Sequence, residues 1–299
     1  MGREFYISED QEDRRLDRLL RTSLPQIPLG EIMKAIRQGR VRLDAKKAKP
    51  ETRVKAGQFL QLPWDEGLAF DKIIQATITE KPKFAPLPTI YRDENIWIIN
   101  KPAGLLTQPD TKGADSVFTR VLAELDWQRT DFHPSTVQRL DRNTSGIILV
   151  ALSGKFQRLL TELIRERKIS KIYRAIVSGE LPLDGKIDLL LLKDPSTNIV
   201  KVDKNGQTAC TLYKRIATEG GLSLAEIKLI TGRSHQIRVH FAAIGHPVLG
   251  DKKYGTCDTK AKRTLLHAYK IIFPKDERLG KLSEKTFTAE VPKDMKLEF

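Results

Sequence analysis

The chain has 299 residues, 40% of them apolar, with a formal net charge of +14 and a pI of about 9.7. That length fills two domains, and that apolar content supports a sizeable core, which excludes a disordered polypeptide. The charge excess favours a polyanionic partner, nucleic acid first, because neutralising phosphates releases counterions. Cys210 and Cys257 are too few for a disulfide framework and lack metal-ligand spacing. Met1-Gly2-Arg3-Glu4-Phe5 has no apolar signal core and no apolar run approaches spanning length, so the expected setting is cytoplasmic, with no membrane partner.

Positive charge gathers near the N-terminus. Arg14 to Lys55 holds thirteen Lys or Arg against four acids, leaving only +5 for the remainder. Leu16, Leu19 and Leu20 recur at helical spacing, as do Leu29, Ile32, Met33 and Ile36. Gly39 suits a helix C-terminus, and Val41-Arg42-Leu43 and Phe59-Leu60-Gln61-Leu62 read as short strands. Two small helices with the basic set Lys34, Arg37, Arg40 and Arg42 resemble the compact RNA-binding domain first seen in small-subunit ribosomal protein four. The resemblance implies a small α/β module over residues 1–63 that docks RNA by charge and shape, with little base readout.

Residues 64–86 are expected to form a linker marked by Pro82 and Pro86. Beyond it, Ile96-Trp97-Ile98-Ile99 reads as a buried strand and Lys101-Pro102-Ala103-Gly104 as the turn leaving it. Val117, Leu122 and Leu125 fit a helix capped by Ser116. Ile147 to Ala151 reads as a second buried strand, and Phe156, Leu159, Leu160, Leu163 and Ile164 as an amphipathic helix. Strands then dominate, around Ile172 to Val177, Leu224 to Leu229, Tyr269 to Phe273 and Phe287 to Val291. A helix from His235 to Ile244 interrupts them. Because strands and helices do not alternate strictly, residues 87–299 are expected to be α+β with a mixed, largely antiparallel sheet.

Several chemistries are absent from the pattern. His235 and His240 are five apart and have no carboxylate at ligand spacing, so no metal site is expected. Phe156 follows Gly154-Lys155 where a phosphate loop needs Ser or Thr, and neither a nucleophile elbow nor a dinucleotide fingerprint occurs. No cofactor is expected.

The most informative run is Gln138-Arg139-Leu140-Asp141-Arg142-Asn143-Thr144-Ser145-Gly146. It sets one carboxylate between arginines, just before a buried strand, on the kind of loop where scaffolds place reactive groups. The run resembles the H-R-L-D-x-x-T-S-G signature of the RluA family of RNA pseudouridine synthases. Lys171-Ile172-Tyr173 looks like the family's tyrosine-bearing strand, and Thr231-Gly232-Arg233-Ser234-His235-Gln236-Ile237-Arg238 like its basic motif. Arg263-Thr264-Leu265-Leu266-His267-Ala268 resembles the segment near the end of its catalytic domain. One position departs: the family's first-motif His is Gln138 here, which hydrogen-bonds but carries no proton near neutral pH.

The resemblance implies the pseudouridine synthase fold and an enzyme that detaches uracil from ribose, rotates it and rejoins it through carbon 5. It implies Asp141 as catalytic carboxylate, Arg233 as its ion-pair partner and Tyr173 as the active-site tyrosine. Arg139 would fill the space of a flipped base, and Arg142 would contact RNA. The N-terminal module and Leu191-Leu192-Lys193-Asp194 most resemble the branch acting on large-subunit ribosomal RNA. Transfer RNA is the alternative substrate, and a non-catalytic RNA-binding assembly protein the rival class. A monomer is expected.

Overall fold

The computed structural model describes residues 4–24, 26–64, 84–110, 114–127, 132–255 and 261–295. The N-terminal module opens with β1 (Glu4–Tyr6), followed by α1 (Leu16–Ser23) and α2 (Leu29–Arg37). Leu16, Leu19 and Leu20 of α1 and Ile32, Ala35 and Ile36 of α2 are buried, the stripe that i, i+3, i+4 spacing creates. Gly39, at φ 71°, releases the chain from α2. Then come β2 (Arg42–Leu43), β3 (Lys46–Lys47) and β4 (Phe59–Gln61), which with β1 form an antiparallel sheet in the order β1-β4-β2-β3. Lys34, Arg37, Arg40 and Arg42 are exposed around this core. Most of the expected linker, residues 65–83, lies outside the described residues.

A second sheet of eleven strands carries the rest of the chain. In order these are β5 (Thr89–Arg92), β6 (Ile96–Lys101), α3 (Val117–Leu125), β7 (Ser135–Thr136), β8 (Ser145–Ala151), α4 (Gly154–Arg165) and β9 (Ser170–Ser178). They continue with β10 (Asp184–Lys193), β11 (Val200–Val202), β12 (Gln207–Glu219), β13 (Leu222–Leu229), α5 (Gln236–Ala243), β14 (Leu266–Ile272) and β15 (Thr286–Thr288). The main path runs β11-β10-β12-β13-β9-β14-β8-β6-β5, with β15 on β14 and β7 on β8. Only the β14–β8 pair is parallel among the described strands, so the sheet is mixed and largely antiparallel.

Strand alternation sorts the two faces. Trp97, Ile99, Ile148, Val150, Tyr173, Ala175 and Val177 pack with Val117 and Val121 of α3 and Ile237 and Phe241 of α5. The opposite face, Ile96, Ile98, Ile147 and Leu149, packs with Phe156, Leu160 and Leu163 of α4. Ser116 caps α3, its hydroxyl accepting from the Thr119 N–H at 3.1 Å. The two units also touch directly: the Asp10 carboxylate accepts from the Gly154 N–H at 2.7 Å, and Arg158 donates to the carbonyls of Asp10 and Glu9.

The long β10–β12 hairpin arm is absent from the sequence expectation, because the apolar run Leu189–Leu192 breaks alternation and β12 mixes charges among its apolar residues. The helix expected from His235 begins one residue later, since His235 sits in the left-handed region at φ 52°. The expected strand from Phe287 to Val291 is the shorter β15, which pairs with β14.

Ile227, Tyr173, Ala268, Gly146 and Lys101 fall in register across β13, β9, β14, β8 and β6. Gly146 has φ 110°, and a Cβ there would overlap the Ala268 backbone. Gly146→Ala should therefore destabilise by at least about 2 kcal/mol. Gly30→Ala, in α2 with open space around it, should instead stabilise by roughly 0.5–1 kcal/mol. Urea unfolding of both variants checks the signs.

Candidate active site

The loop before β8 is held from beneath by the segment that leaves β6. Lys101 is fully buried, and its ammonium donates to the carbonyls of Pro102, Leu105 and Arg142 at 3.0, 2.7 and 3.1 Å. Burial lowers its pKa to about 7 against the pull of Asp141, while three carbonyls match the three donors of the charged form. Thr107 exchanges hydrogen bonds with the backbone of Leu140, its hydroxyl donating to the carbonyl and accepting from the N–H. The Gly104 N–H donates to the Arg142 carbonyl at 2.8 Å, and Arg142 Nε returns a bond to the Gly104 carbonyl at 3.0 Å. Asp141 is thus carried on a loop fixed at the residues on both sides.

Its carboxylate meets the start of α5. Arg238 Nη1 donates to Asp141 Oδ2 at 2.6 Å, while Nε and Nη2 grip both oxygens of Asp251 at 2.6 and 2.8 Å. Asp251 is 1% exposed and Asp141 33% exposed, so one guanidinium ties a buried carboxylate to an open one. Burial pushes the Asp251 carboxyl up, but Arg238 and the N–H groups of Lys253 and Tyr254 outweigh it and hold it below the usual range. His235 Nε2 lies 3.7 Å from Asp141 Oδ1, and its Nδ1 lies 2.6 Å from the Tyr254 hydroxyl. Burial lowers the His235 pKa, with Asp141 acting in the opposite direction.

The ion-pair partner of Asp141 is therefore Arg238, correcting the assignment to Arg233. Arg233 lies before α5, lines the same cavity and donates Nε to the Thr208 carbonyl at 3.1 Å. Arg238 lies one helical turn into the motif, where α5 points it at both carboxylates.

Tyr173 rises from β9 between its neighbours Ile227 and Ala268 and is 8% exposed. Its hydroxyl has no hydrogen-bond partner among the described residues, and it shares a cavity of about 70 Å³ with Asp141, Arg139, His235 and Ile237. Burial, then Asp141, push the phenol up, so it stays neutral at physiological pH.

Arg139 is exposed at the cavity rim, whereas Lys34, Arg37, Arg40 and Arg42 belong to the other unit. Gln138 donates to the Ile147 carbonyl at 3.2 Å, and its buried Oε1 has no partner. Lys101, His235, Arg238, Asp251 and Tyr254 were not singled out as site residues from the sequence. Lys101-Pro102-Ala103-Gly104 and Gly250-Asp251-Lys252-Lys253-Tyr254 carry turn residues beside charge, the signal that was present. No group of three or more His, Cys, Asp or Glu that could hold a metal occurs among the described residues.

A buried sheet that presents one braced carboxylate, a tyrosine and a guanidinium at an open cavity, beside a small basic module, defines an RNA-modifying enzyme. Residues 95–243 match the family model of RNA pseudouridylate synthases, and residues 14–60 match the S4 domain. The chain is 34% identical to ribosomal large subunit pseudouridine synthase C of Buchnera aphidicola, over 90% of this chain and 88% of that one. It is 31% identical to ribosomal large subunit pseudouridine synthase D of Neisseria meningitidis, over 94% and 76% respectively. The structure of human RNA pseudouridylate synthase domain containing 4 shares the fold at 23% identity and a TM-score of 0.57, covering 70% of this chain and 90% of that one. The chain belongs to the RluA family of RNA pseudouridine synthases.

Arg238→Met should cost about 3–5 kcal/mol, because it strands Asp251 without a counter-charge. Arg233→Met, at an exposed position, should cost no more than about 0.5 kcal/mol. The Arg238→Met deficit should shrink on acidification from pH 7, since burial makes the unpaired Asp251 take up a proton while the wild-type pair stays charged. Urea unfolding of both variants across pH 4–7 is the measurement, and equal costs would return Arg233 to the partner role.

Proposed function

We propose that this protein converts specific uridines of large-subunit ribosomal RNA to pseudouridine, with Asp141 as the reacting carboxylate and no cofactor. The observation that carries the reading is the shared cavity. An oriented carboxylate and an unpartnered phenol open onto the same space, beside a guanidinium that fixes the carboxylate. The large-subunit substrate follows the names borne by relatives that span nearly the whole chain.

The isomerisation breaks the bond between uracil nitrogen 1 and ribose, makes one from carbon 5, and moves one proton from carbon 5 to the ring nitrogen. Bonds broken and formed nearly balance, so positioning is the main requirement. Asp141 is placed to attack as a carboxylate nucleophile. Tyr173 supplies a face for the uracil ring and a hydroxyl near its edge. Carbon 5 loses its proton after the new carbon–carbon bond forms, when ring conjugation is restored, so a weak acceptor suffices, and Asp141 and Tyr173 are at hand. Arg139, at the rim, is placed to occupy the gap left by a flipped base.

Residues 1–63 serve as an RNA-docking unit through Lys34, Arg37, Arg40 and Arg42, residues 64–86 as a linker, and residues 87–299 as the catalytic unit. Arg142 contributes charge beside the cavity, and Arg233 a cation at its edge. The enzyme works as a cytoplasmic monomer on this reading. No helix among the described residues is long and apolar enough to cross a membrane.

Asp141→Asn keeps shape while removing charge and nucleophile, and should form no pseudouridine under single turnover yet bind the same RNA. Substantial product from folded Asp141→Asn would overturn the proposal. Tyr173→Phe keeps the ring and loses the hydroxyl, and should slow turnover by about 10²–10⁴ with affinity nearly unchanged. Wild-type single-turnover kinetics would leave Tyr173 as a stacking platform only.

A further inference from the structure

Beside the catalytic cavity lies a second, larger groove of about 530 Å³. It runs between the end of α4, the start of β9 and the end of β13, and is lined by Arg165, Arg167, Lys171, Lys228 and Arg233. Among the described residues, no acidic side chain lines it. Arg233 and Leu229 line both spaces, so the groove borders the cavity that holds Asp141 and Tyr173. Outside Arg14–Lys55 cations and acids nearly balance, at a net charge of only +5, so a groove lined by five cations and no acid is a local separation of charge.

Two details set this groove apart from a solvated charge cluster. Lys171 is half-buried, yet its ammonium has no hydrogen-bond or ion-pair partner among the described residues. Burial lowers its pKa, so an unanswered cation is held here at some cost. Arg167 takes the left-handed conformation at φ 60°, where a helix end favours glycine or asparagine. That backbone cost leaves the Arg167 side chain among the groove's cations.

We propose that this groove seats the phosphodiester backbone of the RNA strand adjoining the reacting uridine. The inference rests on the uridine-isomerising reading of the neighbouring cavity. A base drawn out of its stack needs its strand gripped beside the target, and unpaired arginines and lysines bind phosphate oxygens through charge-assisted hydrogen bonds. The cations contact backbone and not base edges, so the groove contributes affinity and register without reading sequence. RNA docking is then divided between the N-terminal module and the catalytic unit itself.

The test uses the full chain and an unmodified transcript of large-subunit ribosomal RNA. A triple variant Arg165→Gln, Arg167→Gln, Lys228→Gln leaves the catalytic residues in place and changes only exposed side chains. Three lost phosphate contacts should make the slope of log affinity against log salt shallower by about 2. KM should rise about tenfold or more while kcat changes little, the pattern of lost uniform binding. A control triple, Lys204→Gln, Lys275→Gln, Lys281→Gln, removes equal charge from exposed sites elsewhere and should leave the slope near wild type. An unchanged slope in the groove variant, or an equal change in both triples, overturns the proposal. If wild type binds this RNA but forms no pseudouridine, the functional reading fails while the slope comparison still judges the groove. If wild type does not bind the transcript at all, both fail.

Discussion

The site depends on one guanidinium shared by two carboxylates. Arg238 grips Asp251 with two parallel bonds, which fixes the plane of the fork, and the remaining nitrogen then reaches Asp141. Asp251 is the buried member and is itself held by the N–H groups of Lys253 and Tyr254 at 2.9 and 3.3 Å. The place of the open carboxylate is thus set by a chain of contacts that begins in the loop after α5. A single Asp–Arg pair at the surface would contribute little and wander. Anchoring the arginine on a buried acid converts it into a fixed post.

Below that post, side-chain size along one row of the sheet makes room for the chemistry. Reading across β13, β9, β14, β8 and β6, the residues are Ile227, Tyr173, Ala268, Gly146 and Lys101. Large groups stand at both ends, and the two smallest residues lie between Tyr173 and Lys101. Gly146 also brings the backbones of β8 and β14 closer than a Cβ would allow. The Asp141 loop can therefore leave β8 close to Tyr173, while Lys101 ties its backbone down from the far side.

Much of this was legible in the sequence where local pattern carries the information. The stripe in α1, the Ser116 cap, the continuous apolar run of β8 and the Asp141 loop follow from periodicity and turn chemistry over a few residues. What was hidden is non-local. Arg233 and Arg238 stand five apart in one motif, and only the left-handed turn at His235 and the course of α5 decide which meets Asp141. Asp251, thirteen residues beyond Arg238, reads as one acid in a Gly-Asp-Lys-Lys-Tyr turn until the fold brings Arg238 beside it. Three of the groove cations, Arg165, Arg167 and Lys171, lie within seven residues, and only the fold brings Lys228 and Arg233 beside them.

The structure also narrows who can move protons near the cavity. Burial lowers His240 and His267 to about 4, which makes both neutral at physiological pH. His235 is likewise lowered by burial. Gln138 bonds to the Ile147 carbonyl and has no titrating group. Tyr173 is held as the neutral phenol. The cavity itself then presents the Asp141 carboxylate and a neutral phenol, the two groups to which the proposed function gives the chemistry. An isomerisation that returns its proton to the same base suits such a site, because it asks for no strong acid and no strong base.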